Sequence, residues 1–165
     1  VAFTDETACK YLDQQYMLGD NLCIVPVMNA AGTAEFYLPD CGTWTDIQSG
    51  ETYEGGRYYT KTCDYFQTPV LARPNSIVIY GNFDMDVVYD YLEGAEVVVY
   101  GLEDGKTAEA VVYDSESNKI TDIKAVRNGK EITVSYDATD KNFKVTAEGK
   151  TVEAKAGTTS ATITL

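Results

Sequence analysis

The chain has 165 residues and a net charge of −13, and the acidic excess is even: four basic and ten acidic residues lie in 1–82, nine and sixteen in 83–165. Such a surface repels phosphate backbones and anionic lipid, so neither nucleic acid nor a membrane is expected as a partner, and no apolar run reaches spanning length. The length fits one ordinary domain or two small ones, and the opening Val1 reads as the start of a fragment.

In chain order, Thr4-Asp5-Glu6-Thr7 suits a helix start, with a capping side chain and acidic residues at the positive end of the dipole. Tyr11, Leu12, Gln15, Tyr16 and Leu18 follow at roughly helical spacing, and Gly19 would end the helix. From Asn21 the period changes. Leu22–Val27, Thr33–Leu38, Tyr58–Thr62, Val70–Ala72 and Ser76–Tyr80 are predicted strands bounded by turn residues. Trp44, the only Trp, sits among turn residues and reads as a plug in the end of a sandwich core. Gly55-Gly56 reads as a turn with positive φ.

Around Asn82 aromatics thin out and lysines appear. Val87–Tyr89, Glu96–Tyr100, Ala108–Tyr113, Ile120–Val126, Glu131–Tyr136, Asn142–Thr146 and Ala161–Leu165 read as seven further strands. Asn128-Gly129 between two of them is a strong hairpin signal. In Glu131–Tyr136 the residues Ile132, Val134 and Tyr136 share one face. Short strands at near-regular spacing argue for an antiparallel sandwich.

Chemistry is hard to place. The chain has no His, which removes the base of a Ser-His-Asp or Cys-His site. Cys9, Cys23, Cys41 and Cys63 show no C-x-x-C spacing, so no metal site is expected; reduced thiols of a cytoplasmic protein are the plain reading, and three disulfide pairings stay open. No phosphate-cradling loop occurs. The densest acidic group, Asp84-Met85-Asp86 with Asp90, reads as a solvated stretch in a polar setting, without the surroundings that raise an acid catalyst's pKa. Neither it nor Asp137-Ala138-Thr139-Asp140 completes a calcium loop.

One combination is more specific: Gln15–Val27, then Glu35-Phe36-Tyr37-Leu38-Pro39, Gly42-Thr43-Trp44-Thr45-Asp46, Ser49-Gly50-Glu51, Gly55-Gly56-Arg57 and Thr68-Pro69-Val70-Leu71-Ala72-Arg73. It resembles the domain that follows the catalytic barrel in family 31 glycoside hydrolases, particularly the bacterial α-xylosidases and α-glucosidases. Asn75-Ser76 leans toward the α-xylosidase branch, whereas Val78-Ile79-Tyr80-Gly81 departs from the α-glucosidase pattern. Residues 83–165 match the distal C-terminal sandwich of those α-xylosidases more loosely, including the ending Thr162–Leu165.

The resemblance implies an all-β chain of two antiparallel β-sandwich domains in tandem, with a short N-terminal helical remnant of a (β/α)8 barrel. The expected domains are the remnant at 1–20, a proximal sandwich at 21–82 and a distal one at 83–165. The parent would be a retaining α-glycosidase of the bacterial cytoplasm, without metal or cofactor, acting on terminal α-xylose of oligosaccharides or on α-glucosides. Its catalytic aspartates belong to the barrel. Phe83-Asp84-Met85-Asp86 lacks the Trp and Glu of the nucleophile motif, so no catalytic, cofactor-binding or metal-binding residue is assigned to this chain. Trp44 and Arg73 are the candidate carbohydrate contacts. Expected partners are the substrate, the barrel and, as an open question, a second copy. Two other readings stand beside this one. A carbohydrate-binding module would stack Trp44, Tyr58, Tyr59 or Tyr65 on sugars; a wall-anchored adhesion array would suit the acidic, Thr- and Lys-rich second half.

Overall fold

A computed structural model describes residues 3–83 and 88–165 and divides the chain into two compact units, Val1–Pro74 and Asn75–Leu165. The acidic Asp84-Met85-Asp86 and the start of the strand expected at Val87 fall outside the described residues.

The first unit is a small β-sandwich. Seven strands build it: β1 (Tyr16–Leu18), β2 (Leu22–Ile24), β3 (Thr33–Leu38), β4 (Thr43–Asp46), β5 (Thr52–Glu54), β6 (Arg57–Thr62) and β7 (Val70–Ala72). Five of them form a sheet in the order β1-β2-β7-β4-β5, and β3 and β6 form an antiparallel ribbon. Cys23, Val25, Phe36, Leu38, Trp44 and Leu71 fill the core.

The expected N-terminal helix is replaced by a single 3-10 turn over Ala8–Tyr11. Beyond it, Tyr16–Leu18 lies in a hairpin with β2, pairing Tyr16 with Ile24 and Leu18 with Leu22 across the turn at Gly19. An isolated helix of about a dozen residues is marginal in water, and here sheet pairing satisfies the backbone instead. The Trp44 stretch is likewise a strand, with Trp44 opposite Tyr53. Its inward positions are Trp44 and Asp46, both buried. An acidic residue on the core side hides the two-residue period from a sequence reading.

Gly55 lets this turn close. A Cβ there would strike the Pro39 carbonyl oxygen and crowd Asp40 and Gly42. Gly55→Ala is therefore expected to lower stability by about 1–3 kcal/mol through overpacking against backbone. Gly50→Ala meets open space at a positive φ and should cost only about 1 kcal/mol. Denaturant midpoints of the two variants check the difference.

The second unit is a sandwich of two four-stranded sheets. Its strands are β8 (Ser76–Tyr80), β9 (Glu96–Tyr100), β10 (Thr107–Tyr113), β11 (Lys119–Asn128), β12 (Glu131–Tyr136), β13 (Phe143–Ala147), β14 (Lys150–Ala154) and β15 (Ser160–Thr164). The sheet orders are β10-β11-β12-β15 and β14-β13-β9-β8. Ile132, Val134 and Tyr136 point inward together, as their alternation requires, and meet Ile123, Val97, Val145 and Ile163 in one core. The β11–β12 hairpin turns at Asn128-Gly129, with Gly129 at φ 59°.

Two features differ from the sequence reading. Ser76–Tyr80, expected in the first half, pairs with β9 inside the second unit, because the chain breaks at Pro74-Asn75, where Asn75 takes φ 56°. The strand β13 runs parallel to β9, while the other pairings among the described residues are antiparallel.

Candidate functional site

The N-terminal segment is pinned across the first unit by two side chains. Gln15 acts as a strand residue would: its Nε2 donates to the Tyr37 carbonyl at 2.7 Å and its Oε1 accepts from the Tyr37 amide at 2.8 Å. Glu6 accepts from the Tyr37 hydroxyl at 2.8 Å and from the Asp40 amide at 2.9 Å. That bond to the carboxylate, with help from burial, pushes the Tyr37 phenol up to about 12. No local pattern announces either residue, because Tyr37 and Asp40 lie 22 to 34 residues away from them.

Pinned in this way, the segment walls an apolar cavity of about 390 Å³ with Phe3, Cys9, Leu12, Met17 and Cys23. The strand β1 beside it is an edge of the five-stranded sheet. Around it Tyr11 is 80% exposed, Tyr16 54% and Leu18 57%. Tyr16 and Leu18 are alternate residues of this edge strand and share its exposed face.

Two thiols, Cys9 and Cys23, line the cavity. Burial pushes the Cys23 thiol up to about 11 and raises Cys9 as well, so both stay protonated at neutral pH and are poor nucleophiles. All four cysteines are free thiols. Among the described residues no group of three or more His, Cys, Asp or Glu is placed to hold a metal ion. Hydrogen bonds from Lys61 and Tyr53 lower Glu51. Burial draws Asp90 up, but the Glu93 and Leu92 amides and Lys141 outweigh it and leave it lowered.

Comparison with known proteins finds a match for each half of the chain. The model of the glycosyl hydrolase family 31 C-terminal domain matches residues 1–78. The model of the C-terminal domain of α-xylosidase YicI matches residues 90–165. The chain belongs to glycoside hydrolase family 31.

Within family 31, the chain is 33% identical over 124 residues to α-xylosidase XylQ of Lactiplantibacillus pentosus, a match that covers 73% of this chain and 16% of that protein. It is 32% identical over 155 residues to an α-xylosidase of Emericella nidulans, covering 85% of this chain and 20% of that one. The chain thus spans a fifth or less of the length of these relatives. Its fold is similar to part of the cycloalternan-forming enzyme from Listeria monocytogenes, solved with a pentasaccharide substrate, with a TM-score of 0.79 at 20% identity; 96% of this chain and 19% of that chain are covered.

The two candidate carbohydrate contacts, Trp44 and Arg73, meet through a third residue. Trp44 is fully buried, its Nε1 donating to the Pro39 carbonyl at 3.1 Å, so its ring offers no face to a ligand. Phe3 lies against it at 6.3 Å between ring centroids. The Arg73 guanidinium lies 5.0 Å from the Phe3 centroid and beside the Cys41 thiol, which burial raises and Arg73 draws down. Tyr58, Tyr59 and Tyr65 do not share one platform: Tyr58 packs tilted against Tyr37, Tyr59 tilted against Phe36 and edge to face with Tyr53, and Tyr65 edge to face with Phe66. No helix among the described residues is long and apolar enough to cross a membrane.

Proposed function

We propose that this chain is the non-catalytic C-terminal part of a retaining α-glycosidase, an α-xylosidase that removes terminal α-xylosyl residues from oligosaccharides in the bacterial cytoplasm. The first unit covers a flank of the catalytic barrel, and the second braces the assembly or joins it to another copy. The observation that carries this reading is the exposed apolar face of Tyr16 and Leu18 on the edge strand β1, beside the cavity lined by Phe3, Leu12 and Met17. An apolar face of this kind is a cost in isolation and a contact in a longer polypeptide. The match of the second half to an α-xylosidase C-terminal domain supports the substrate class. An α-glucosidase parent is the competing assignment, and the ratio of rates on aryl α-xylosides and aryl α-glucosides separates the two.

Leu18→Asp tests the covering role. Because Leu18 is largely exposed, the variant chain on its own should unfold within about 0.5 kcal/mol of the parent chain. In a polypeptide extended to the length of the α-xylosidase relatives, the same change should lower the melting temperature and the hydrolytic rate together. Equal indifference in both contexts would remove the assigned contact.

A further inference from the structure

The second unit carries a groove that the covering role does not use. It opens between β8 and β10, each the edge strand of its sheet. Ile79, Tyr89, Tyr91, Val111, Val112 and Tyr113 enclose a volume of about 230 Å³. None of the six bears a formal charge, in a chain whose net charge is −13.

The aromatic walls are held in place. Tyr89 and Tyr91 meet edge to face with centroids 4.7 Å apart, an arrangement that fixes both ring planes. Gly81 lies directly under Tyr89, and a Cβ there would collide with the ring and its hydroxyl. On β10, Tyr113 is 52% exposed and Val111 41%. Among the described residues, no hydrogen bond engages the hydroxyls of Tyr89, Tyr91 or Tyr113.

We propose that this groove binds a neutral pyranose residue of an oligosaccharide. A pyranose offers C–H faces that lie on aromatic rings and a rim of hydroxyls that bond to phenols. Fixed tyrosines give both at low entropic cost, since only two side-chain torsions are involved. An uncharged lining in an acidic protein disfavours phosphorylated sugars and uronates, which would need a cation. The choice of α-linked sugars as ligands rests on the glycosidase reading above; the neutral, ring-stacking chemistry of the groove does not.

The test is a chemical-shift titration of the 165-residue chain with an α-xylosyl-glucose disaccharide, with maltotriose, and with glucuronate as a charged probe. The expected result is saturable shifts centred on Tyr89, Tyr91, Val111 and Tyr113 from at least one neutral sugar, with a Kd of about 1 mM. Glucuronate should leave them unchanged. Tyr113→Ala should weaken binding about tenfold or more with an unaltered unfolding midpoint, because the ring is half-exposed. No saturable shift from either neutral sugar, shifts centred elsewhere, equal binding of glucuronate, or unchanged affinity in Tyr113→Ala would each overturn the site. Binding by the chain, together with a longer polypeptide that hydrolyses neither α-xylosides nor α-glucosides, would keep the groove and remove the glycosidase reading. Hydrolysis without binding would do the reverse.

Discussion

Trp44→Ala is expected to destabilise the first unit by about 3–5 kcal/mol, the usual cost of emptying a buried aromatic site. Trp44 has no exposed surface, lies between the two sheets of its unit and touches Phe3 across the N-terminal segment. The cavity left by truncation would open beside Leu38, Leu71 and Val25, which are also fully enclosed. Trp44→Phe keeps most of that volume but loses the hydrogen bond to Pro39. The same carbonyl also accepts from the Cys41 amide at 2.9 Å, so it is not left bare and the loss should be nearer 1–2 kcal/mol. Denaturant unfolding gives the totals. Hydrogen exchange should place the lost protection on β2, β4 and β7; a total below about 1 kcal/mol for the alanine variant would show that the site collapses freely.

Lys61→Met is the second large effect, and it acts through charge. The Lys61 ammonium lies 2.8 Å from Asp46 and 2.7 Å from Glu51, and Asp46 is almost completely buried. Burial draws Lys61 down, but its bonds to Asp46 and Glu51 dominate and hold it above the ordinary lysine value. Among the described residues, removing it leaves the Asp46 carboxylate with the Gln48 and Ser49 amides alone, at 2.9 and 3.4 Å. An uncompensated buried charge of this kind costs about 3–5 kcal/mol. Asp46→Asn in the Lys61→Met background should recover part of the loss, and the double-mutant cycle gives the coupling. The pH dependence has a definite sign. A group raised on folding stabilises fully below its unfolded value and stops doing so as pH rises through the folded one. The parent chain should therefore lose this contribution in strong alkali, and Lys61→Met should show a flatter alkaline profile.

The parts of the fold legible in the sequence are those fixed by local chemistry. Asn128-Gly129 demanded a tight hairpin, and the alternation of Ile132, Val134 and Tyr136 assigned a face. Where a residue's role depends on distant partners, local pattern misleads. Tyr11, Leu12, Gln15 and Tyr16 have helical spacing, yet Gln15 bonds to Tyr37 and Tyr16 pairs with Ile24. Strand β4 was hidden because its second inward residue is Asp46, neutralised by Lys61 from β6. Strand β14, Lys150–Ala154, is an edge strand with only Ala154 buried, so it shows almost no hydrophobic signal. The recurrence of Tyr11, Leu12, Tyr16 and Leu18 near β1 is plain in the sequence. Its true bearer, a sheet edge pinned by Glu6 and Gln15, is not. The aromatic groove of the second unit also escaped, since it gathers residues from β8, β10 and the stretch leading to β9.

The measurement that bears most directly on the central claim compares hydrolysis of an aryl α-xyloside by the 165-residue chain and by a polypeptide extended to the length of the family 31 relatives. The expected result is turnover by the longer protein alone, with the chain indistinguishable from a protein-free blank. Turnover by the chain itself, persisting through repurification, would contradict it and place catalysis within these residues.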